Sequence, residues 1–448
     1  MIESDVRTIE YQNGEFQRVQ LVRFDSWESL DFLFPDYSPD AFSKVVSLYS
    51  DFIVPSKPSV FGQLVLFALP DGSSADFSHL SIKYGSLFSD LTAAAVAMRN
   101  GVKIIGGKPV FLNGKIRSFY RELEEKGCVR IVRGSLPMTT ILPVGKRFGF
   151  LSESEKDAKL KVNSSFFIMD RFDCSTAYDS IGTPVGLMVK NGDILNPPLY
   201  RREALMVKKD GSVSIGTPVL ENLSVEISGK AFTPGDNALV YTRPETRKTP
   251  SGKRADIVII GRKVAAVKWG GQTMVPSSGF VLGVKDGSAI KPGDDVVFHG
   301  MEDVLFSIQV GNSIVVNGEK TEYFKSPFYN IYKLWSISFP PSLYPLDFEK
   351  ARAPRIALGA DKDNHPMLAW IEGPGKFTHE KGVESCGASL SELADIIENL
   401  GMYNAVNLDG GGSAQILING KRSLLISDRV KEDNSEAERA VPAGLIIR

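Results

Sequence analysis

Residues 389–401, SLSELADIIENLG, carry the clearest helical period: Leu390, Leu393, Ala394, Ile397 and Leu400 fall on one apolar stripe. Ser389 and Glu392 stand at capping-box spacing, where each can satisfy an amide that the first turn leaves orphaned, and Gly401 supplies a left-handed stop. Two further helical patterns precede residue 105. Phe42, Val45, Val46 and Tyr49 recur after Asp40, and the alanine-rich stretch 84–101 ends on Asn100-Gly101. Between them SVFGQLVLFALP (59–70) is short, apolar and closed by Pro-Asp-Gly, the pattern of a buried strand.

From about residue 105 the period shortens to many brief apolar runs punctuated by turn dipeptides. Asn113-Gly114, Asn191-Gly192, Asp210-Gly211, Asn317-Gly318 and Asn419-Gly420 all have hairpin chemistry. ETRKTPSGKRAD (245–256) is polar and reads as an exposed loop or hairpin tip. No repeat of fixed period and no low-complexity tract is present. These patterns predict an α+β fold, with a mixed, largely antiparallel sheet and packed helices over 106–448. A small mixed α/β domain is expected over 1–105.

At 448 residues the chain exceeds one ordinary core, and its length alone suggests about two or three domains. A hydrophobic content of 43% and a charged content of 23% are those of an ordinary soluble protein. The formal net charge of -1 gives no electrostatic reason to expect nucleic acid or an anionic membrane, so an anionic substrate would need local charges. Cys128, Cys174 and Cys386 are distant and odd in number, which suits a reducing compartment better than a disulfide framework or zinc site. The opening MIESDVRTIEYQNGEF lacks a signal-peptide pattern. The apolar stretch LTAAAVAM (91–98) falls short of the roughly 20 residues of a membrane helix. The expectation is a soluble, cytoplasmic protein.

No P-loop, GxGxxG, HExxH or CxxC is present, and His79, His299, His365 and His379 are scattered. DKDNHPMLAWIE (361–372) places acids at the first, third and twelfth positions of a calcium loop, yet Pro366 stands where the loop needs glycine. That excludes an EF-hand. The acid density would admit a calcium or magnesium ion, but no cofactor is required. The distinctive stretch is NLDGGGSAQILING (407–420), an acid at a strand end followed by three glycines. Asn419-Gly420 already makes the hairpin turn there. Consecutive glycines at 410–412 would instead let phosphate or sugar oxygens approach the backbone. A structural turn with Asp409 capping the loop amides is the competing reading.

The run 389–420 resembles the phosphodiester glycosidase family, whose helix, strand and Asp-Gly-Gly-Gly-Ser loop it follows closely. ARAPRIALGADKDNHPMLAWIEG (351–373), SIQVGNSIVVNGE (307–319), PSSGFVLGV (276–284), TPVGLMVKNGDILN (183–196) and ERAVPAG (438–444) match in the expected order. The likeness covers about 160–448. The family's Asn-Gly-Gly-Phe-Phe is here Asn163-Ser164-Ser165-Phe166-Phe167, and its closing asparagine is missing around Ala443-Gly444. The resemblance implies hydrolysis of a GlcNAc-1-phosphodiester-like substrate through an oxocarbenium-like transition state. It implies Asp409 as the essential carboxylate, either nucleophile or base, and Arg355 as the phosphate clamp.

Gly410, Gly411, Gly412, Ser413, Asn163 and Arg439 would then bind phosphate or sugar oxygens. Arg355 in a surface ion pair and Asn163 bonded to loop backbone are the structural alternatives, and Glu438 and Arg439 could simply pair with each other. Asp361, Glu384 and Asp170 are the candidates for a second carboxylate. A non-catalytic glycan- or phosphate-binding protein, or an assembly component, that keeps the fold is the alternative to an enzyme.

Overall fold

A computed structural model of the chain describes residues 1–35, 149–168, 182–200, 202–243, 245–321, 351–375, 380–430 and 433–448, with short stretches between 62 and 141 and around 176–179. The helices expected over 41–49 and 84–101 fall largely outside the described residues. Of the strand expected over 59–70, Gly62–Leu66 is described and is a strand.

The largest sheet has seven strands in the order Ile2–Glu10, Phe16–Phe24, Pro366–Ile371, Arg355–Ala360, Asn404–Asn407, Ser313–Val316 and Glu319–Lys320, each pair antiparallel. Its strands alternate between two buried faces, as side chains on a pleated strand must. Ile356, Leu358, Trp370, Val406 and Leu408 point into the main core. Ala357, Ala369, Val19 and Leu21 meet the helix Leu390–Asn399 through its Leu390, Leu393, Ala394 and Ile397 stripe. The helix carries the expected capping box, and Gly401 has a φ of 89°.

A four-stranded sheet closes the other side of the main core in the order Ile416–Ile418, Leu160–Asn163, Gly444–Ile447 and Asp31–Leu33. It contributes Leu160, Val162, Ile416 and Leu445. A five-stranded sheet adds Met188, Leu205, Phe306 and Ile308. Between residues 220 and 300 two smaller sheets enclose a second core that includes Val225, Ile257, Phe280 and Leu282. These pairings tie residues 2–33 to the C-terminal half, across the boundary expected near residue 105.

The α+β expectation is corrected. The described residues form twenty-eight strands in several sheets, against two α-helices, Gly114–Glu125 and Leu390–Asn399, so the protein is mostly β. Many short strands pair across long sequence separations and cover one another, where the sequence pattern suggested helices covering one sheet. The turn dipeptides divide in the same way. Asn191-Gly192, Asn317-Gly318 and Asn419-Gly420 have positive φ at both residues, as a type I′ hairpin turn needs. Asn113 instead starts a helix, its Oδ1 accepting from Ile116 N at 2.9 Å. No described helix is long and apolar enough to cross a membrane.

Candidate active site

Three strand ends meet at one end of the seven-stranded sheet. Arg355 opens its strand and pairs with Ile371, so Glu372 emerges beside it. Leu408 N donates to Ile356 O at 2.8 Å, which brings Asp409 off the sheet at the same end. The next residues make a tight turn over Gly411–Ser413. Gly411 N donates to Pro354 O at 3.0 Å and Ser413 N to Gly410 O at 3.2 Å. The loop therefore spends part of its amide set on its own frame.

The glycines differ in purpose. Gly411 has a φ of 57°, a left-handed conformation that a side chain disfavours, although a Cβ there would meet nothing within 4 Å. A Cβ on Gly412 would overlap Arg439 Nη2 and Asp428 Oδ1. That arginine and aspartate form a two-pronged pair, Nε to Oδ2 at 2.8 Å and Nη2 to Oδ1 at 3.0 Å. Gly412 is bare so that a charged pair can lie directly on the loop.

Asp409 N donates to Ser164 O at 2.9 Å. Asn163 bridges the loop to its neighbour, with Nδ2 donating to Asp409 O at 2.7 Å and Oδ1 accepting from Gln415 N at 2.9 Å. Asn163 thus holds loop backbone. The Asp409 carboxyl is desolvated by its surroundings, which pushes its pKa up to about 7; hydrogen bonds from Ser413 and Gly410 and the nearby Arg439 charge pull the other way without cancelling it. A carboxylate poised near neutrality at a strand end can exchange a proton with water at physiological pH.

Arg355 is 5% exposed, and its Nε and Nη2 donate to Ala388 O and Ala351 O, both at 3.0 Å. Its backbone passes against Gly410. Glu438 bonds Ser152 N and Arg422 Nη2, not Arg439. Of the second-carboxylate candidates, Asp361 lies just past the far end of the strand Arg355–Ala360, about 20 Å from Arg355 at 3.3 Å per residue. There it groups with Asp363 and His365. Glu384 Oε2 accepts from Gly375 N at 3.3 Å. Asp170 lies outside the described residues.

Sequence reasoning missed Glu372 and Asp428. Glu372 is 2% exposed. Its Oε1 takes Arg18 Nε at 3.0 Å and Nη2 at 2.7 Å, and its Oε2 takes Leu425 N at 2.8 Å. Burial nonetheless drives its pKa upward. Its one local signal was an acid closing an apolar strand before Gly-Pro-Gly.

Such a site, an acid and three glycines at a β-sheet end with an arginine against the loop, has the makings of a glycosyl-transfer or phosphate-handling centre. The chain matches the phosphodiester glycosidase family model over residues 156–448 and belongs to that family. It is 30% identical over 94 residues to the mouse N-acetylglucosamine-1-phosphodiester alpha-N-acetylglucosaminidase and 31% identical over 87 residues to the human one. These stretches cover 21% and 19% of this chain and only 17% and 15% of the relatives. Among solved structures, a hypothetical protein from Synechocystis aligns with a TM-score of 0.42 at 15% identity, over 100% of this chain and 62% of the other. The zebrafish enzyme's catalytic domain, auto-inhibited by its pro-peptide, aligns with a TM-score of 0.42 at 12% identity, over 100% and 83%.

Proposed function

We propose that the protein hydrolyses a sugar-1-phosphodiester, breaking the bond between the anomeric carbon and the phosphate oxygen. Water supplies the new oxygen on the sugar, and a phosphomonoester departs. The carrying observation is the placement of Asp409 at a strand end, leading into the Gly411–Ser413 turn on which the Asp428–Arg439 pair lies; its surroundings push the carboxyl up to about 7. A carboxylate with that proton affinity takes the proton of the attacking water as the bond to C1 forms. The leaving phosphate is a weak base, so cations and amides serve it better than a strong acid would. Arg439, oriented by Asp428, is the cation best placed against the loop. Arg355, tied to two carbonyls, is a positioning residue for the strand end in this scheme. The family membership and the short matches to the mouse and human enzymes support a GlcNAc-1-phosphodiester-like substrate.

The test is release of free sugar from a GlcNAc-1-phosphodiester by the wild type and by Asp409→Asn, in water enriched in oxygen-18. Label in the sugar and loss of turnover in the variant are expected. Label in the phosphate would mean P–O cleavage, and equal turnover by the two proteins would remove Asp409 from the mechanism.

A further inference from the structure

The seven-stranded sheet ends on one side in a strand whose outer edge no described strand covers. Ile2–Glu10 runs for nine residues in unbroken register with Phe16–Phe24. It contains neither Pro nor Gly, and residues 3–8 are all exposed. The other edge of the same sheet is the two-residue strand Glu319–Lys320. Among the described residues no other edge strand exceeds seven residues, and that one, Lys263–Trp269, is interrupted by a shift of register. An open row of amides and carbonyls is a template for another strand, so natural edges are commonly short, bulged or broken by Pro. Ile2–Glu10 is none of these.

Backbone bonding fixes which groups of this strand face outward. Tyr11 N donates to Glu15 O at 2.9 Å, so residue 11 turns its amide toward the second strand of the hairpin. Phe16 O and Arg18 O accept from Cys386 N and Glu372 N, both at 2.9 Å, so residues 16 and 18 turn away from the first strand. Glu10 and Thr8 stand opposite them. Polar groups alternate sides along a strand, so the N–H and C=O of Ile2, Ser4, Val6, Thr8 and Glu10 face the open edge. Side chains alternate between faces as well. Asp5 and Arg7 share the face of their cross-strand neighbours Leu21 and Val19, and Arg7 Nε donates to Asp5 Oδ2 at 2.7 Å with both side chains half-exposed.

We propose that Ile2–Glu10 is a homodimer interface, on which a second copy of this chain lays the same strand antiparallel about a twofold axis at Val6. Outward groups must meet outward groups, which restricts a symmetric pair to registers centred on a single residue. Centring on Asp5 sets Asp5 against Asp5, centring on Arg7 sets Arg7 against Arg7, and centring on Ser4 sets Asp5 against Glu3. Centring on Thr8 shortens the overlap. Only the register centred on Val6 overlaps all nine residues. It places Asp5 of each copy opposite Arg7 of the other, pairs Ser4 with Thr8 and leaves no like charges directly opposed. Every outward amide and carbonyl of the strand then finds a backbone partner, and Val6, 43% exposed in the single chain, meets its own copy. Charges that repel a slipped strand thereby specify the matched one.

The experiment follows the full chain by analytical ultracentrifugation up to about 200 µM, where a monomer–dimer equilibrium is expected of so small an interface. Asp5→Arg and Arg7→Asp should each weaken the dimer at least about tenfold, because each sets like charges opposite one another twice. Mixed in equal amounts, the two variants should associate about as tightly as the wild type, since a doubly positive strand then faces a doubly negative one. The double variant Asp5→Arg/Arg7→Asp should recover the homodimer. Hydrogen exchange of the wild type should show amides within residues 2–10 gaining protection as concentration rises, which locates the contact without any substitution. A wild type that stays monomeric throughout overturns the proposal. So does a dimer indifferent to both single substitutions, a mixture of the two that fails to associate, or a dimer whose 2–10 amides exchange as fast as the monomer's.

Discussion

At one end of the seven-stranded sheet Asp361, Asp363 and His365 crowd a hairpin tip; at the other, Asp409, Glu372 and Asp428 gather where three strands run out. The first group is satisfied locally. Asp361 Oδ1 accepts from Asp363 N and His365 N at 2.9 Å, its Oδ2 lies 3.1 Å from His365 Nδ1, and Asp363 and His365 are exposed. Water and the turn's own amides do everything those acids require. At the opposite end, Glu372 is enclosed and depends on Arg18, 354 residues away in sequence, while Asp409 is desolvated enough to reach a pKa of about 7. Each end carries acids, and among the described residues only those at the Asp361 end come within metal-binding distance of one another. Desolvation and long-range partners set them apart, and these are what shift a carboxyl toward chemistry.

The largest effect that could break this contrast is on activity. Asp409→Asn should lower turnover about a thousandfold. It should also change the pH dependence of stability. Because the folded-state pKa lies above the unfolded value near 3.9, ionising Asp409 weakens the fold as pH rises from about 4 through about 7. Asn cannot ionise, so the variant should gain up to about 4 kcal/mol at pH 8 relative to the wild type and almost nothing at pH 4. Urea denaturation at the two pH values measures this, and equal shifts would show that Asp409 titrates normally.

Next in size is Arg18→Met, which strands the buried Glu372 charge. A loss of about 3 kcal/mol is expected at pH 8 and less at pH 5, where Glu372 can take up a proton. A pH-independent loss would mean that Arg18 contributes through packing alone.

The glycines sharpen the comparison within the active end. Gly412→Ala forces the Asp428–Arg439 pair off the loop, so it should cost about 2 kcal/mol and at least tenfold in turnover. Gly411→Ala meets no neighbour and should cost only about 1 kcal/mol, from the left-handed backbone. Paired melting and sugar-release measurements decide this, and equal activity losses in the two would weaken the role given to the charged pair.

The smallest effect is expected at the far end. Asp363→Ala should change stability by less than about 0.5 kcal/mol and leave sugar release unaltered. A large activity loss there would contradict the separation of the two ends.

Some of this was readable from short stretches of chain. The capped stripe of Leu390–Asn399, the left-handed Gly401, the Asn-Gly hairpin turns and the acid placed between a strand and three glycines are local patterns, decided by a few adjacent residues. Asn113-Gly114 shows how narrow that legibility is, since the same dipeptide chemistry capped a helix once its flanks favoured one. The mostly β architecture was missed for a related reason. Short strands declare themselves weakly, and their partners lie far off in sequence, as Asp31–Leu33 pairs with Gly444–Ile447.

The chain alone therefore determined the Asp-Gly-Gly-Gly-Ser loop and the family to which it points. Tertiary structure alone decided which acids share an end of the sheet. It turned Arg355 toward backbone carbonyls and laid Arg439 on Gly412. Burial and electrostatic coupling belong to distances in space, which spacing along the chain does not encode.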